Sequence, residues 1–154
     1  MPRILLALLM LLFAGGDVSA QSMPGNGGFE RSALIIETVD GRQHRFTIEL
    51  AVTPEQQARG LMYRERMDGD AGMLFVYDRP ERISMWMKNT IIPLDMIFVD
   101  AAGRIIGIEE RTIPFSTQTI ESPGRALAVL ELNAGTASRL NIQRGDRLVH
   151  QAFR

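Results

Sequence analysis

The side chains that could do chemistry are concentrated between residues 60 and 100. Lys88, Asn89 and Asp95 lie there within a run of large apolar residues. A polar or charged group among apolar neighbours destabilises the fold unless it is paired or hydrogen-bonded, so such a group often has a role in binding or catalysis. Lysine supplies a positive charge, and an asparagine amide both donates and accepts hydrogen bonds. The cluster therefore predicts a pocket for a small anion or another small polar ligand.

A turn is the competing interpretation of residues 88–90. Asparagine favours turns because its side chain bonds nearby backbone, and Thr90 can do the same. Pro93 restricts Ile92 to extended geometry, which limits where a turn can lie. A turn explains Asn89 and Thr90 but does not require Lys88, so both interpretations stay open.

Asp95 and Glu131 are two carboxylates on strands that are apolar on both faces, so we expect each carboxyl to be at least partly buried. Together with a nearby Lys88, two carboxylates could perform acid–base work in a hydrolase that acts on an envelope glycan. Alternatively, each carboxylate pairs with Arg64, Lys88 or Arg125, or caps a backbone turn.

These residues predict one pocket, in which Arg64 reaches outward from the end of a short helix. Its predicted lining is Arg64, Trp86, Lys88, Asn89, Asp95 and Glu131. Because no catalytic constellation is recognisable, we expect a binding or accessory module for a small polar ligand or an envelope partner. The glycan hydrolase is the alternative from the enzyme class.

The methionines allow a third hypothesis, Cu(I) binding, because thioethers are soft ligands for Cu(I). Met85 and Met87 would point to one side of a strand and Trp86 to the other. Methionine also fills irregular cores, which is the competing interpretation. The copper hypothesis requires at least three thioethers that converge near the surface.

The amino-acid composition excludes several classes of function. The 154 residues include no cysteine, which excludes disulfides and zinc–thiolate sites, and the two histidines have no second ligand at a metal-binding spacing. We therefore expect no metal and no cofactor. The net charge of −1 and the scattered basic residues argue against a nucleic-acid partner. We also expect a monomer.

The N-terminus predicts export. A positive start at Arg3 precedes an unbroken apolar run over residues 4–13, and small residues end at Ala20. This pattern is typical of a signal peptide over residues 1–20, followed by a flexible leader over residues 21–29. The run is shorter than the roughly 20 residues of a membrane span. We expect a periplasmic or secreted protein with no membrane span after cleavage.

Residues 30–154 predict a single β-rich domain. Eight or so short strands separated by turns indicate an antiparallel β-sandwich or barrel with two short helices. Thr53 and Pro54 predict the start of the first helix, which Gly60 ends. Asn133 is predicted to cap the second helix, which continues to Leu140.

Five segments also resemble, in order, the pattern of an uncharacterised bacterial and archaeal family, domain of unknown function 192. They are GLMYRERM at 60–67, GMLF at 72–75, MWMKNTIIPLD at 85–95, LELNAG at 130–135 and GD at 145–146. The similarity runs from about residue 35 to 149, with Met85 where the family pattern has an aromatic residue. The resemblance implies a compact, often exported β-rich fold, and no reaction or catalytic residues.

Overall fold

The structure is a computed structural model, and it describes residues 28–153 of the chain. The predicted signal peptide and residues 21–27 of the predicted leader lie outside this range. Within the range, no helix has the length and apolar character needed to cross a membrane.

Strands dominate the described part of the chain, and two short α-helices accompany them, as predicted. In chain order the elements are β1 (Glu30–Glu37), β2 (Gln43–Ala51), α1 (Pro54–Arg59), β3 (Ala71–Glu81), β4 (Ser84–Met85), β5 (Leu94–Val99), β6 (Ile105–Glu109), β7 (Ile120–Glu121), β8 (Ala126–Asn133), α2 (Thr136–Leu140), β9 (Arg147–Val149) and a final 3-10 turn (Gln151–Phe153).

Seven strands form one curled sheet in the order β6-β5-β8-β3-β2-β1-β9, and β4 pairs with β7 in a small second sheet. The β2–β3 pair is parallel, because residues 52–70, which include α1, carry the chain back to the starting end. The other strand pairs are antiparallel. The edge strands approach one another, since Ile105 N donates to Asp146 O at 2.8 Å and Leu148 N donates to Gly103 O at 2.7 Å. The sheet is thus a half-barrel.

Each face of this sheet packs its own apolar cluster. The inner face collects residues from all seven strands, among them Leu34, Ile48, Leu74, Ile97, Ile105, Leu130 and Leu148. The outer face is covered by side chains from the connecting segments, and its cluster includes Phe29, Leu61, Met73, Phe75, Ile83, Met87, Met96 and Val129. The connecting segments therefore shape any cleft on the outer face.

The first helix begins and ends as predicted. Thr53 Oγ1 accepts a hydrogen bond from Gln56 N at 3.2 Å, and Gln56 Oε1 accepts one from Thr53 N at 3.1 Å. This reciprocal capping box satisfies backbone donors that the first turn leaves unpaired. Gly60 ends the helix at φ 45°, a backbone angle that glycine adopts more readily than other residues.

The prediction for the start of the second helix was wrong. Gly135, at φ 82°, precedes α2 and supplies no side-chain cap. Asn133 instead ends β8, where its amide donates to the carbonyls of Met67 at 2.9 Å and Asp68 at 3.0 Å. The N-terminal N–H groups of α2 are bound by a distant carboxylate, described below.

The fourth strand is only two residues long. Ser84 and Met85 pair with β7, which is also a two-residue strand. Met87 N then donates to Ser116 O at 2.9 Å, outside any strand. This short pairing leaves residues 86–91 as an irregular segment over the outer face.

Candidate functional site

A small cavity of about 100 Å³ opens on the outer face of the sheet. Its walls come from α1 and the residues after it, from β3, from β4 with the turn that follows, and from β8. The lining residues are Gln57, Ala58, Arg59, Gly60, Leu61, Met62, Phe75, Tyr77, Ser84, Met85, Trp86, Lys88, Thr90 and Glu131. Three of the six predicted pocket residues, Trp86, Lys88 and Glu131, are among them.

Glu131 is the buried carboxyl of this cavity. It is 4% exposed and lies between Met73 and Met96, its register partners on the neighbouring strands. Within residues 28–153 its side chain has no hydrogen-bond or ion-pair partner. Burial away from water disfavours the charged form and raises the pKa of Glu131 to about 8. At neutral pH most molecules therefore carry a protonated, unpartnered carboxyl here.

Tyr77 shares the cavity with Glu131. Its hydroxyl donates to Met85 Sδ at 3.7 Å. Burial is the main cause that raises the pKa of Tyr77 to about 12, and the negative charges of Glu131 and Glu81 add to it. The phenol therefore remains a neutral hydrogen-bonding group throughout the physiological range.

Lys88 lies at the tip of a turn over residues 87–90, in which Thr90 N donates to Met87 O at 3.1 Å. Its ammonium lies 5.1 Å from the ring centre of Trp86, within the range of a cation–π contact. Asn89 adopts φ 55°, which asparagine tolerates better than most residues. Asn89 thus shapes a turn, and Lys88 lines the cavity.

Asp95 does not line the cavity. Its carboxylate is fully buried and accepts backbone hydrogen bonds from Arg111 N at 2.9 Å, Gly135 N at 3.0 Å and Ala137 N at 2.9 Å. Negative charge at the start of α2 also meets unpaired N–H groups there. Asp95 therefore joins β5, the segment after β6, and α2, which is a structural role.

Asp95 and Glu131 lie on opposite faces of the sheet. Asp95 pairs in register with Leu132, whereas Glu131 pairs with Met96. Side chains alternate between faces along a strand, so the one-residue offset separates the two carboxyls. Paired catalytic carboxylates of glycosidases flank one bond in one cleft. This arrangement does not meet that requirement, and the geometry gives the glycan hydrolase hypothesis no support.

Arg64 lies outside the cavity, in a neighbouring groove that Glu49 also lines. Its guanidinium forms an ion pair with Glu49 at 2.5 Å and lies 5.8 Å from the ring centre of Phe29. Glu49 is 5% exposed, and its Oε1 has no hydrogen-bond partner in the described range. Sequence reasoning missed Glu49 because the alternation of Ile48, Glu49 and Leu50 predicts a polar face for this glutamate.

The methionines are distributed between the cavity and the core. Met62 and Met85 line the cavity, and Asn89 Nδ2 contacts Met62 Sδ at 3.9 Å. Met87 is fully buried, and its sulfur accepts a hydrogen bond from Thr112 Oγ1 at 3.2 Å. Two thioethers among the described residues that line the cavity are fewer than the three that the copper hypothesis requires.

The cavity therefore combines one buried carboxyl with exposed cations and apolar walls. Sequence reasoning missed Arg59, Met62, Phe75 and Tyr77 as lining residues. Chain order places these residues in two separate segments, and only the parallel β2–β3 pairing brings α1 beside β3.

Two solved structures are similar to this chain over most of its length. One, from Sinorhizobium meliloti, is named as that of a candidate transcription regulator. It is 44% identical, with a TM-score of 0.81, and the match covers 83% of this chain and 99% of that one. The other, a protein of unknown function from Novosphingobium aromaticivorans, is 35% identical with a TM-score of 0.81, covering 86% and 94%. Among curated proteins, none matches.

A family model also matches residues 35–150. Its description is DUF192, uncharacterized ACR, the domain of unknown function 192 that the sequence motifs resemble. The matched segment contains α1, the 87–90 turn and Glu131, and so the whole cavity lining. This chain belongs to the uncharacterised DUF192 family.

Proposed function

We propose that this protein is a binding module for a small polar ligand, and that the cavity at Trp86, Lys88 and Glu131 is its binding site. One observation carries the proposal. Glu131 is 4% exposed, has no partner in the described part of the chain and borders an open cavity. Buried polar groups are nearly always hydrogen-bonded, so an unpartnered carboxyl beside empty space calls for a bound group.

The alternative, that Glu131 stabilises the fold, has no supporting hydrogen bond or ion pair among residues 28–153. Asp95 and Glu49 show how this protein stabilises a buried carboxylate, with three backbone N–H groups in one case and an arginine in the other. Glu131 has neither arrangement. An unpaired buried carboxyl destabilises a fold, so its presence favours a role in binding.

A thermal-shift screen with the purified protein tests this function. Envelope metabolites, sugars, nucleotides and metal ions are added singly, because a ligand that binds only the folded state raises its stability, by about 2.7 kcal/mol at a hundredfold excess over Kd. We expect at least one compound to raise the melting temperature of the wild type and not of Glu131→Gln. Glu55→Gln, on the exposed side of α1, is the matched control and keeps the shift. No shift for any compound contradicts the proposal.

Export to the periplasm or the medium is part of the same proposal, and it rests on the apolar run and the small residues that end at Ala20. N-terminal sequencing of the protein purified from the envelope fraction tests it. We expect a chain that begins at Gln21. A chain recovered from the cytoplasm with its first residues intact contradicts export.

A protein partner is the second candidate, favoured by an apolar rim beside the cavity. Tyr63 and Phe115 are 70% and 60% exposed, and both adopt positive φ, 64° and 61°. Their backbone N–H groups bond Asn89 O and Thr90 O, which holds both aromatics around the same turn. Strained and exposed aromatics are costly for a fold and are frequent at binding surfaces.

The partner hypothesis is tested by capture from an envelope extract. We expect wild type and Val39→Ser to retain the same protein, and the double variant Tyr63→Ser with Phe115→Ser to lose it. Val39 is the control because it is 83% exposed in the distant β1–β2 hairpin. Equal capture by all three proteins contradicts a role for the rim.

A further inference from the structure

The charged residues that line the cavity lie at different depths. Among its described lining residues these are Arg59, Lys88 and Glu131. Glu131 is buried against the sheet, whereas Arg59 and Lys88 are exposed at the mouth. Within residues 28–153, no ion pair joins Glu131 to either cation. The buried carboxyl and the exposed cations can therefore meet the two ends of one ligand.

The space between these charges is small and has apolar walls. Leu61 and Phe75 are each 2% exposed, and Met62 and Met85 add thioethers. A cavity of about 150 Å³ holds benzene, so about 100 Å³ accommodates about four or five non-hydrogen atoms. The inner part of a ligand is therefore a short group, and any larger part lies at the open mouth.

Resting on the ligand-binding function proposed above, we propose that the ligand is a small zwitterion. Its ammonium group lies inward against Glu131, and its acidic group lies outward at Lys88. The hydroxyls of Tyr77 and Ser84 also line the cavity and can accept hydrogen bonds from the ammonium.

Ligands with one charge match this distribution less well. A ligand with only an acidic group, if that group lay inward, would meet Glu131 in its protonated form and would leave Lys88 at the mouth without an anion to pair with. A simple alkylammonium would pair with Glu131 and leave Lys88, already at the mouth, with no anionic partner. A zwitterion pairs both charges in one bound molecule, and the pairing with Glu131 is the stronger because that carboxyl is 4% exposed whereas Lys88 is exposed to solvent.

Isothermal titration with γ-aminobutyrate, and with butylammonium and butyrate as single-charge analogues, tests the inference. We expect the wild type to bind γ-aminobutyrate at least about tenfold more tightly than either analogue. Glu131→Gln should abolish the advantage over butyrate, and Lys88→Ala should abolish the advantage over butylammonium. Arg82→Ala, which removes an exposed cation outside the cavity lining, and Glu55→Gln should leave both advantages intact.

Proton release gives an independent readout of the inward ammonium. An ammonium beside Glu131 favours the ionised carboxylate, so binding near neutral pH should release about one proton to the buffer. Arg59 on α1, Tyr77 on β3 and Lys88 also line this cavity, and the raised pKa of Tyr77, about 12, keeps its phenol protonated near neutrality. The heat of binding should therefore depend on the buffer's ionisation enthalpy for wild type and not for Glu131→Gln.

The outcomes separate this inference from the proposed function. Butyrate that binds as tightly as γ-aminobutyrate, with no effect of Glu131→Gln, overturns the zwitterion and leaves a ligand site at Lys88. Butylammonium that binds as tightly as γ-aminobutyrate overturns the outward anion and leaves a cation site at Glu131. Failure of all three probes overturns the zwitterion, and a thermal-shift screen with no response overturns the binding function as well.

Discussion

Replacing Glu131 with glutamine should remove most of the pH dependence of stability between about pH 5 and pH 8. The carboxyl has an ordinary pKa of 4.5, and burial raises the pKa to about 8 in the folded protein. Between these values the folded state holds a proton that the unfolded state has lost, so stability falls as pH rises. This contribution is complete below the unfolded pKa and is lost once pH passes the folded pKa.

The size of the effect follows from the two pKa values. At about 1.4 kcal/mol for each pH unit, the difference between 4.5 and about 8 corresponds to an upper limit of about 5 kcal/mol. Water drawn through the open cavity reduces this limit, because it solvates the ionised carboxylate. Glutamine has the same shape and does not ionise, so its variant should overtake the wild type in stability as pH rises.

Urea unfolding of both proteins, at several values from about pH 5 to pH 9, measures this difference. Other ionisable groups, including Tyr77 and Lys88 at the cavity, are common to both proteins, so the difference between the curves reports on Glu131. Glu55→Gln is the control and should follow the wild type. Curves for wild type and Glu131→Gln that stay parallel within about 0.5 kcal/mol refute a buried, unpartnered carboxyl.

Three further substitutions test the surrounding structure. Asp95→Asn should lower the free energy of unfolding in urea by about 3 kcal/mol, because an amide cannot accept all three backbone N–H bonds. Asp100→Asn, in a turn after β5, is the control and should lower it by about 1 kcal/mol. Equal losses contradict the structural role of Asp95. Gly60→Ala should lower the melting temperature, because its Cβ would lie 2.9 Å from the ring of Phe75 at a positive φ, and an unchanged melting temperature contradicts that packing. Tyr63→Asn should be about 1 kcal/mol more stable than Tyr63→Ala, since asparagine tolerates φ 64°, and the reverse order contradicts backbone strain.

Local features were predictable from sequence because their causes lie within a few residues. The capping box of Thr53 and Gln56, the helix end at Gly60 and the turn at Asn89 each depend on side chains next to the backbone they bond. The mainly β fold follows from short alternating segments for the same reason.

The composition of the site was only half predictable, because it depends on strand register. Asp95 and Glu131 were both predicted to be buried carboxylates. A one-residue offset in the register of β5 and β8 places them on opposite faces of the sheet. Arg64 was predicted beside them and instead pairs with Glu49, a residue of β2 that reaches this neighbourhood through the parallel pairing with β3. No spacing within a single segment carries that information.

The prediction that Asn133 caps the second helix was wrong for a related reason. A side chain at the right spacing was available, but the N–H groups of Gly135 and Ala137 are bound by Asp95 from a strand about 40 residues earlier in the chain. This tertiary partner overrides the local preference that sequence reasoning relies on.

The cavity is built around the carboxyl of Glu131, which has no partner among residues 28–153. The most direct test is a titration of the Glu131 side-chain carboxyl carbon by NMR in the ligand-free protein, assigned by comparison with Glu131→Gln. We expect a pKa of about 8 for Glu131. A pKa at or below the ordinary value of 4.5 would show a solvated or paired carboxylate and would contradict the claim.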